Sequence, residues 1–473
     1  MKTECNRKQY TFQALGRREI VADFNGGTIT SDAGGILLRE VEKRTSILSR
    51  FAKCFTDHRN QKLIEHSVLD LVSQRVFAIA LGYEDLNDHD HLARDQFFAT
   101  LVGKEDPTGN NRLLERDKGH ALAGKSTLNR LELTPEDADR KSRYKKIVMH
   151  PEAIDELLID VFIEGKTKVP KQIVIDLDAT DFPLYGQQEE RFFHGYYDTY
   201  CYLPLYIFCG DELLCARLRP ANIDGAAGSL DELKPLVSRI RTAWPEVQII
   251  LRADSGFCRD EIMAWCEEDE NNIDYIFGLA KNNRLLQEIG DELEDARIML
   301  ECSGEASRRF KDFTYQTLDS WSRSRRVVGK AEHLPGRSNP RFVVSSLSPD
   351  DYDARALYED LYCARGDMEN RIKEKQLMLF AARTSSAKMR ANQLRLYFSS
   401  IAYLLVQTLR RVGLVGTAMP RAQVDTIRLK LFKIGAQIKI TVRKVWISCA
   451  DCYPHMNLFK QVYHNLQQLP LRS

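Results

Sequence analysis

The apolar positions change their period along the chain. "HSVLDLVSQRVFAIALG", from His66, spaces its apolar residues for one helix face, and Gly82 is a stop signal. "STLNRLELT" reads as another short helix, so residues 1–165 are predicted to be mainly helical. From Lys171 the pattern turns to strands: "KQIVIDLDAT", "CYLPLYIFCG" (201–210) and "ELLCARLRPAN" (212–222), the last two joined at Gly210-Asp211. "SLDELKPLVSRIRTAW" returns to helical spacing. Leu233, Leu236, Val237 and Ile240 form its stripe, Ser229 is the predicted N-cap and Glu232 would complete a capping box. "EVQIILRADSGF", "RDEIMAWCEE" and "IDYIFGLAKN" follow as strand, helix and strand. The order β-β-β-α-β-α-β predicts an α/β fold, a mixed sheet with helices on its faces.

Next, "FTYQTL", "RRVVGKAEHL" and "RFVVSSLS" make residues 298–347 a β-rich insertion. A helix then begins at Ser348-Pro349, with Asp350 and Asp351 at its positive end, and runs through "YCARGDMENRIKEK". A helix over 389–412, a strand in "IKITVRKVWIS" and a short terminal helix close the chain. The predicted domains are therefore 1–165, a core of 166–297 with 348–385, the insertion 298–347, and a C-terminal region 386–473.

Composition changes this picture in one place. Net charge is +1 over 473 residues, but Arg383–Ser473 holds 15 Lys/Arg against Asp425 and Asp451 alone. A basic, apolar-rich segment on an otherwise acidic chain points to a polyanion, nucleic acid first. The N-terminal residues lack the apolar stretch of a secretory leader, and "LRLYFSSIAYLLVQTLRR" is too short between its arginines to span a membrane. Eleven scattered cysteines suit a reduced, cytoplasmic protein. The pair Cys449 and Cys452 has no second pair at zinc spacing.

Two motifs are decoys. "GHALAGKS" (119–126) matches a phosphate-binding loop, but charged "NRLLERDK" precedes it where a buried strand is needed. "NDHDH" (87–91) reads as a solvated helix start rather than a metal site.

The carboxylates of "IVIDLDATDF" (173–182) carry more. Asp176 and Asp178 lie two apart on a strand and so share a face. As hhhhDxDxT the stretch resembles the haloacid-dehalogenase phosphohydrolases, which implies Asp176 as nucleophile and Asp178 as acid/base. That family needs a later acidic pair, and "IILRADSG" offers only Asp254. The other reading gathers Asp178, Asp254 and a glutamate from the late helix around divalent ions, the arrangement of a ribonuclease-H-like nucleotidyl-transfer fold. On that helix Tyr362, Arg365 and Glu369 fall at i, i+3 and i+7, which puts a metal-binding carboxylate beside a phosphate-binding guanidinium.

With these residues in hand, the chain resembles the DDE transposases of bacterial insertion sequences. It is similar to the branch with a Tyr-x2-Arg-x3-Glu-x6-Lys signature, and within it to the insertion sequence 1380 group. "DLDATDFPLYGQQEERFFHGYYDTYCYLPLYIFCG", "IILRADSGFCRDEIMAWC", "YCARGDMENRIKEKQL", "RANQLRLYFSS" and "TIRLKLFKIGA" carry the likeness along nearly the whole chain. The resemblance implies catalytic and metal-binding Asp178, Asp254 and Glu369, with Asp178 selected over Asp176 by the following Ala179-Thr180. It implies Mg2+, with Mn2+ as a substitute, and DNA cleavage at transposon ends followed by strand transfer into target DNA. A catalytically inactive DNA-binding relative is the remaining alternative.

Tyr362 and Arg365 become DNA-phosphate contacts. Gln376 stands at the signature lysine position, with Lys373 and Lys375 as neighbouring candidates. The insertion offers Trp321, Arg323, Arg325 and Arg326 for DNA, and "FFHGYYDTY" offers His194 beside Tyr196 and Tyr197. Implied partners are terminal inverted repeats, bound by 1–165, target DNA, and a second copy of the chain when assembled on DNA. The implied setting is the nucleoid of a bacterial cytoplasm.

Overall fold

A computed structural model describes residues 9–471. They form two compact units: 9–49, 59–129 and 408–471 in one, 50–58 and 130–407 in the other. No helix among the described residues is long and apolar enough to cross a membrane.

The larger unit is built on a nine-stranded mixed sheet. Its strands are β1 (Gln172–Ala179), β2 (Leu205–Cys209), β3 (Glu212–Arg217), β4 (Gln248–Ala253), β5 (Ile273–Leu279), β6 (Ser307–Tyr315), β7 (Arg325–Leu334) and β8 (Arg341–Ser345), and Arg337–Ser338 adds a short piece on β7. The spatial order is β3-β2-β1-β4-β5-β8-β7-β6. β1, β4 and β5 are parallel, and every other pair along the sheet is antiparallel. The β-β-β-α-β-α-β order read from the sequence is present, with helices α1 (Ser229–Ala243) and α2 (Asp260–Cys266) between strands. The strands of 298–347 extend the same sheet through the β5–β8 pairing.

Alternation divides the sheet into two faces. Ile173, Ile175, Leu177, Ile249, Leu251, Tyr275 and Phe277 pack with α1 and α2 in the main core. Residues one position on, among them Ile250 and Ile276, pack with Leu357, Tyr358 and Leu361. Asp176, Asp178, Arg252 and Gly278 share this second face.

Several sequence expectations are corrected. Ser229 does not cap α1: Gly228, with φ 74°, precedes the helix, and the Glu232 carboxylate accepts from Arg217 Nε at 2.7 Å instead of reaching back. The late helix starts at Ala354, capped by Asp353, because Ser348 accepts from Asp350 N–H in a turn. It passes through a π-helical stretch, Leu357–Tyr362, and a 3-10 turn, Cys363–Arg365, before regular α3 (Gly366–Met378). "IKITVRKVWIS" is a hairpin, Ala436–Ile440 with Val445–Cys449.

The compact units divide the chain at 49–50, 58–59, 129–130 and 407–408. The helix Pro151–Glu164 buries Ile159 and Phe162 in the main core, with Phe162 edge-on to Trp244 at 5.4 Å. The helix α4 (Met389–Thr408) is tied to β3 by Gln393, which accepts from Leu218 N–H and donates to the Ala216 carbonyl.

The smaller unit holds helices Ile36–Thr45, Val68–Leu81, Gln96–Val102 and Met456–Gln467. Ser67 and Asp70 close a capping box on Val68–Leu81, and Gly82 ends it at φ 100°. An exposed hairpin, Tyr10–Leu15 with Arg18–Ala22, is a strand pair that the sequence pattern does not reveal.

Candidate active site

Strand register brings the first two carboxylates together. Leu177 lies opposite Ala253 in the parallel β1–β4 pair, so Asp178 and Asp254 are the next residues at adjacent strand ends. Carboxyl ends of parallel strands are where α/β sheets bind ligands. The Asp254 backbone stays extended, and its side chain accepts from Gly256 N–H at 2.8 Å, which fixes it at the start of a tight turn.

The signature segment lies across the same face. Arg365 Nη2 donates to Glu369 Oε1 at 3.0 Å, and Nη1 stands 3.6 Å from Asp178 Oδ1. Burial pushes the Asp178 carboxyl up to about 7; Arg365 opposes the shift, while Asp254 and Glu369 add to it. Burial also works against the Arg365 charge, but Asp178, Asp254, Tyr362 and Glu369 outweigh it and raise its pKa. The three carboxyl groups and the guanidinium thus form one electrostatic cluster.

Asp176 is not placed for chemistry. It is 2% exposed and bound by two hydrogen bonds from Arg252, Nε to Oδ1 at 2.6 Å and Nη2 to Oδ2 at 2.8 Å. Arg252 Nη1 donates onward to the Leu361 carbonyl, one residue before Tyr362. A carboxylate clamped and buried in this way cannot reach a phosphate ester, which removes the geometric basis for Asp176 as nucleophile.

The hairpin around His194 packs beside the site. The His194 and Tyr197 rings lie 5.0 Å apart, and Tyr197 donates to the Ala179 carbonyl at 3.3 Å. Burial, then Asp181 and Asp178, raise the Tyr197 phenol. Gln376 donates to Thr180 Oγ1 at 3.3 Å, so the position where the signature has lysine touches the Asp178 loop. Lys373 is exposed on α3.

Three residues expected at DNA lie inside the protein. Lys375 is fully buried, donates to Ser400 Oγ at 3.0 Å and sits over the Tyr206 ring; burial holds its pKa well below the ordinary value. Trp321 is in the main core, edge-on to Tyr315 at 5.8 Å. Arg325 is enclosed by Asp260 and Glu267. Packing and ion pairing consume these side chains. Arg326 is committed to Asp312, the Leu347 carbonyl and the Tyr352 carbonyl, whereas Arg323 is exposed beside Glu267.

Sequence reasoning missed Arg252 and Gly278. An arginine inside "QIILRA" needs a buried partner, and that was the available signal. Gly278, in the interior of β5, marks a close approach: a Cβ there would lie 2.5 Å from Tyr362 Oη and 2.9 Å from Ser255 N. Beside it opens a cleft of about 340 Å3, lined by Ser255, Lys281, Arg341, Tyr358 and Tyr362 among others. A larger cavity, about 690 Å3, is lined by Asp155, Glu156, Asp160 and Glu232 and would repel a polyanion.

The donor set of Asp178, Asp254 and Glu369 suits a hard divalent cation, because all three offer carboxylate oxygens and one cationic side chain already stands among them. Among the described residues no three ligating groups are drawn close enough to hold an ion as they stand. The "GHALAGKS" stretch follows a 3-10 turn rather than a strand, and the N–H of Lys125 donates to Asp90 of "NDHDH".

Comparison with known proteins gives seven matching chains of solved structures and one family. One of these structures is a piggyBac transposase synaptic complex with hairpin DNA, at 10% identity and TM-score 0.41, covering 94% of this chain and 86% of that one. No curated protein matches. The family described as Transposase DDE domain group 1 matches residues 12–471. Matched over nearly its whole length, this chain belongs to the DDE transposase family.

Proposed function

We propose that the chain is a transposase of the insertion sequence 1380 group that cuts DNA at the ends of its own element and joins them to target DNA. The observation carrying this reading is the register that sets Asp178 beside Asp254, with Glu369 linked to Asp178 through Arg365. The 3-2-1-4-5 order of β1 to β5, with β1, β4 and β5 parallel, supports a ribonuclease-H-like core.

Asp178, Asp254 and Glu369 would hold divalent ions, Mg2+ or Mn2+. When bound, such ions activate water and stabilise the leaving oxygen of a phosphodiester. The chain's own part is to position. The Gly256 N–H fixes Asp254, the Arg252 clamp fixes the carbonyl before Tyr362, and Tyr362 with Arg365 orients the phosphate. Lys281 and Arg341, in the cleft beside Tyr362, attract the DNA backbone. Lys373, Arg323 and His194 are further DNA contacts. Residues 1–165 bind the terminal repeats, the region 386–473 adds nonspecific affinity, and two copies assemble on DNA.

The test is strand cleavage of duplexes carrying the inverted repeats that flank the gene, in Mg2+. Wild type cuts, Asp178→Asn does not, and Asp176→Asn keeps cutting chemistry to the extent that it folds. Cleavage that survives Asp178→Asn would falsify the assignment.

A further inference from the structure

Arg365 contacts two of the three carboxylates, and the geometry of the two contacts differs. Its bond to Glu369 is a hydrogen bond of 3.0 Å. Its approach to Asp178 is not: Nη1 is buried, makes no hydrogen bond, and stands 3.6 Å from the carboxylate oxygen. Charge, rather than directional bonding, holds the guanidinium over Asp178. Asp178, Asp254 and Glu369 all act on it, and it is the arginine that acts on Asp178 in return. Glu369 is 46% exposed at its side chain, so this end of the pair is open to solvent.

A dication drawn to Asp178 and Glu369 would meet the carboxylates that this guanidinium already faces. Like charges repel, and the three carboxylates cannot serve both fully. A displaced guanidinium carries planar paired donors that match a phosphate.

Building on the proposed metal-centre reading, we infer that Arg365 is the built-in counter-ion of the carboxylate cluster and competes with the divalent ion for it. Metal entry frees Arg365 for DNA phosphate, and phosphate capture of Arg365 frees the carboxylates for metal. Metal and DNA therefore bind cooperatively, by the same factor in either order.

The test counts free Mn2+ by electron paramagnetic resonance on the full-length protein, with and without a random-sequence DNA duplex. Without DNA, Arg365→Gln binds Mn2+ more tightly than wild type, within the roughly 5–150-fold range of such couplings. Arg365→Lys, which keeps the charge, stays near wild type. The duplex tightens Mn2+ binding by wild type and leaves Arg365→Gln unchanged. Mn2+ binding by folded Arg365→Gln that equals or falls below wild type overturns the inference. So does an absence of mutual tightening in wild type, a readout that needs no variant. If Asp178→Asn binds Mn2+ as wild type does, the ions bind elsewhere and the metal-centre reading itself falls.

Discussion

A methyl group at Gly278 has nowhere to go. It would press on Tyr362 Oη and on the Ser255 backbone, which follows Asp254 directly. Gly278→Ala should therefore leave the protein folded but shift both sides of the site. The expected loss of cleavage is on the order of 100-fold, the scale of an ångström-sized misplacement, read from single-turnover rates. His66 makes a separate prediction in the smaller unit. Burial, then Arg112 and Lys104, hold its pKa down to about 4 from 6.5, while Asp70 and Glu65 oppose the shift. The folded state thus binds fewer protons than the unfolded chain between these values. The stabilisation is full above about pH 6.5 and is lost as pH falls toward 4, by roughly 3 kcal/mol at most. Denaturant titrations of wild type and His66→Gln across this window should show a shallower pH dependence in the variant.

At the scale of elements, Asp176 and Arg252 tie β1, β4 and the segment before α3 into one piece. Arg252→Met alone strands a buried carboxylate and should cost about 3–5 kcal/mol. Adding Asp176→Leu should recover most of that stability, while cleavage stays impaired because the Leu361 carbonyl has lost its tether. Urea unfolding with cleavage rates on the same samples decides it: a double variant no more stable than the single one contradicts the clamp. Much of this was legible in the sequence. Apolar runs and the Gly210-Asp211 turn signal located the strands, and Asp178 and Asp254 stood out as carboxylates ending such runs. The Arg252 partnership was not legible, because register between strands 76 residues apart is set by the sheet and not by local pattern. The π-helical and 3-10 stretches around Tyr362 were equally hidden, since six and three residues are too few for apolar spacing to separate them from a regular helix. Lys375 and Trp321 differ again: one stands beside the signature position and the other in the insertion, and only packing shows both enclosed.

For the whole molecule, the charge asymmetry has an address. In the hairpin Ala436–Cys449, Lys439, Arg443 and Lys444 are exposed, with Lys444 over the half-exposed Trp446 ring at 5.1 Å. Replacing the three by alanine should weaken DNA binding without changing its sequence preference. The slope of log affinity against log salt should become shallower by about 0.9 for each phosphate the hairpin no longer neutralises. An unchanged slope would remove this hairpin from the DNA-binding surface. Finally, the shared register of β1 and β4 has a consequence for how the chain tolerates length change. One residue inserted within β4 would turn Arg252 and Asp254 toward the α1 side and carry two charges into the core. The same insertion at the exposed Gly210-Asp211 turn moves neither strand's frame. Scanning insertions along the gene should trace the catalytic strands as short forbidden windows between more permissive turns.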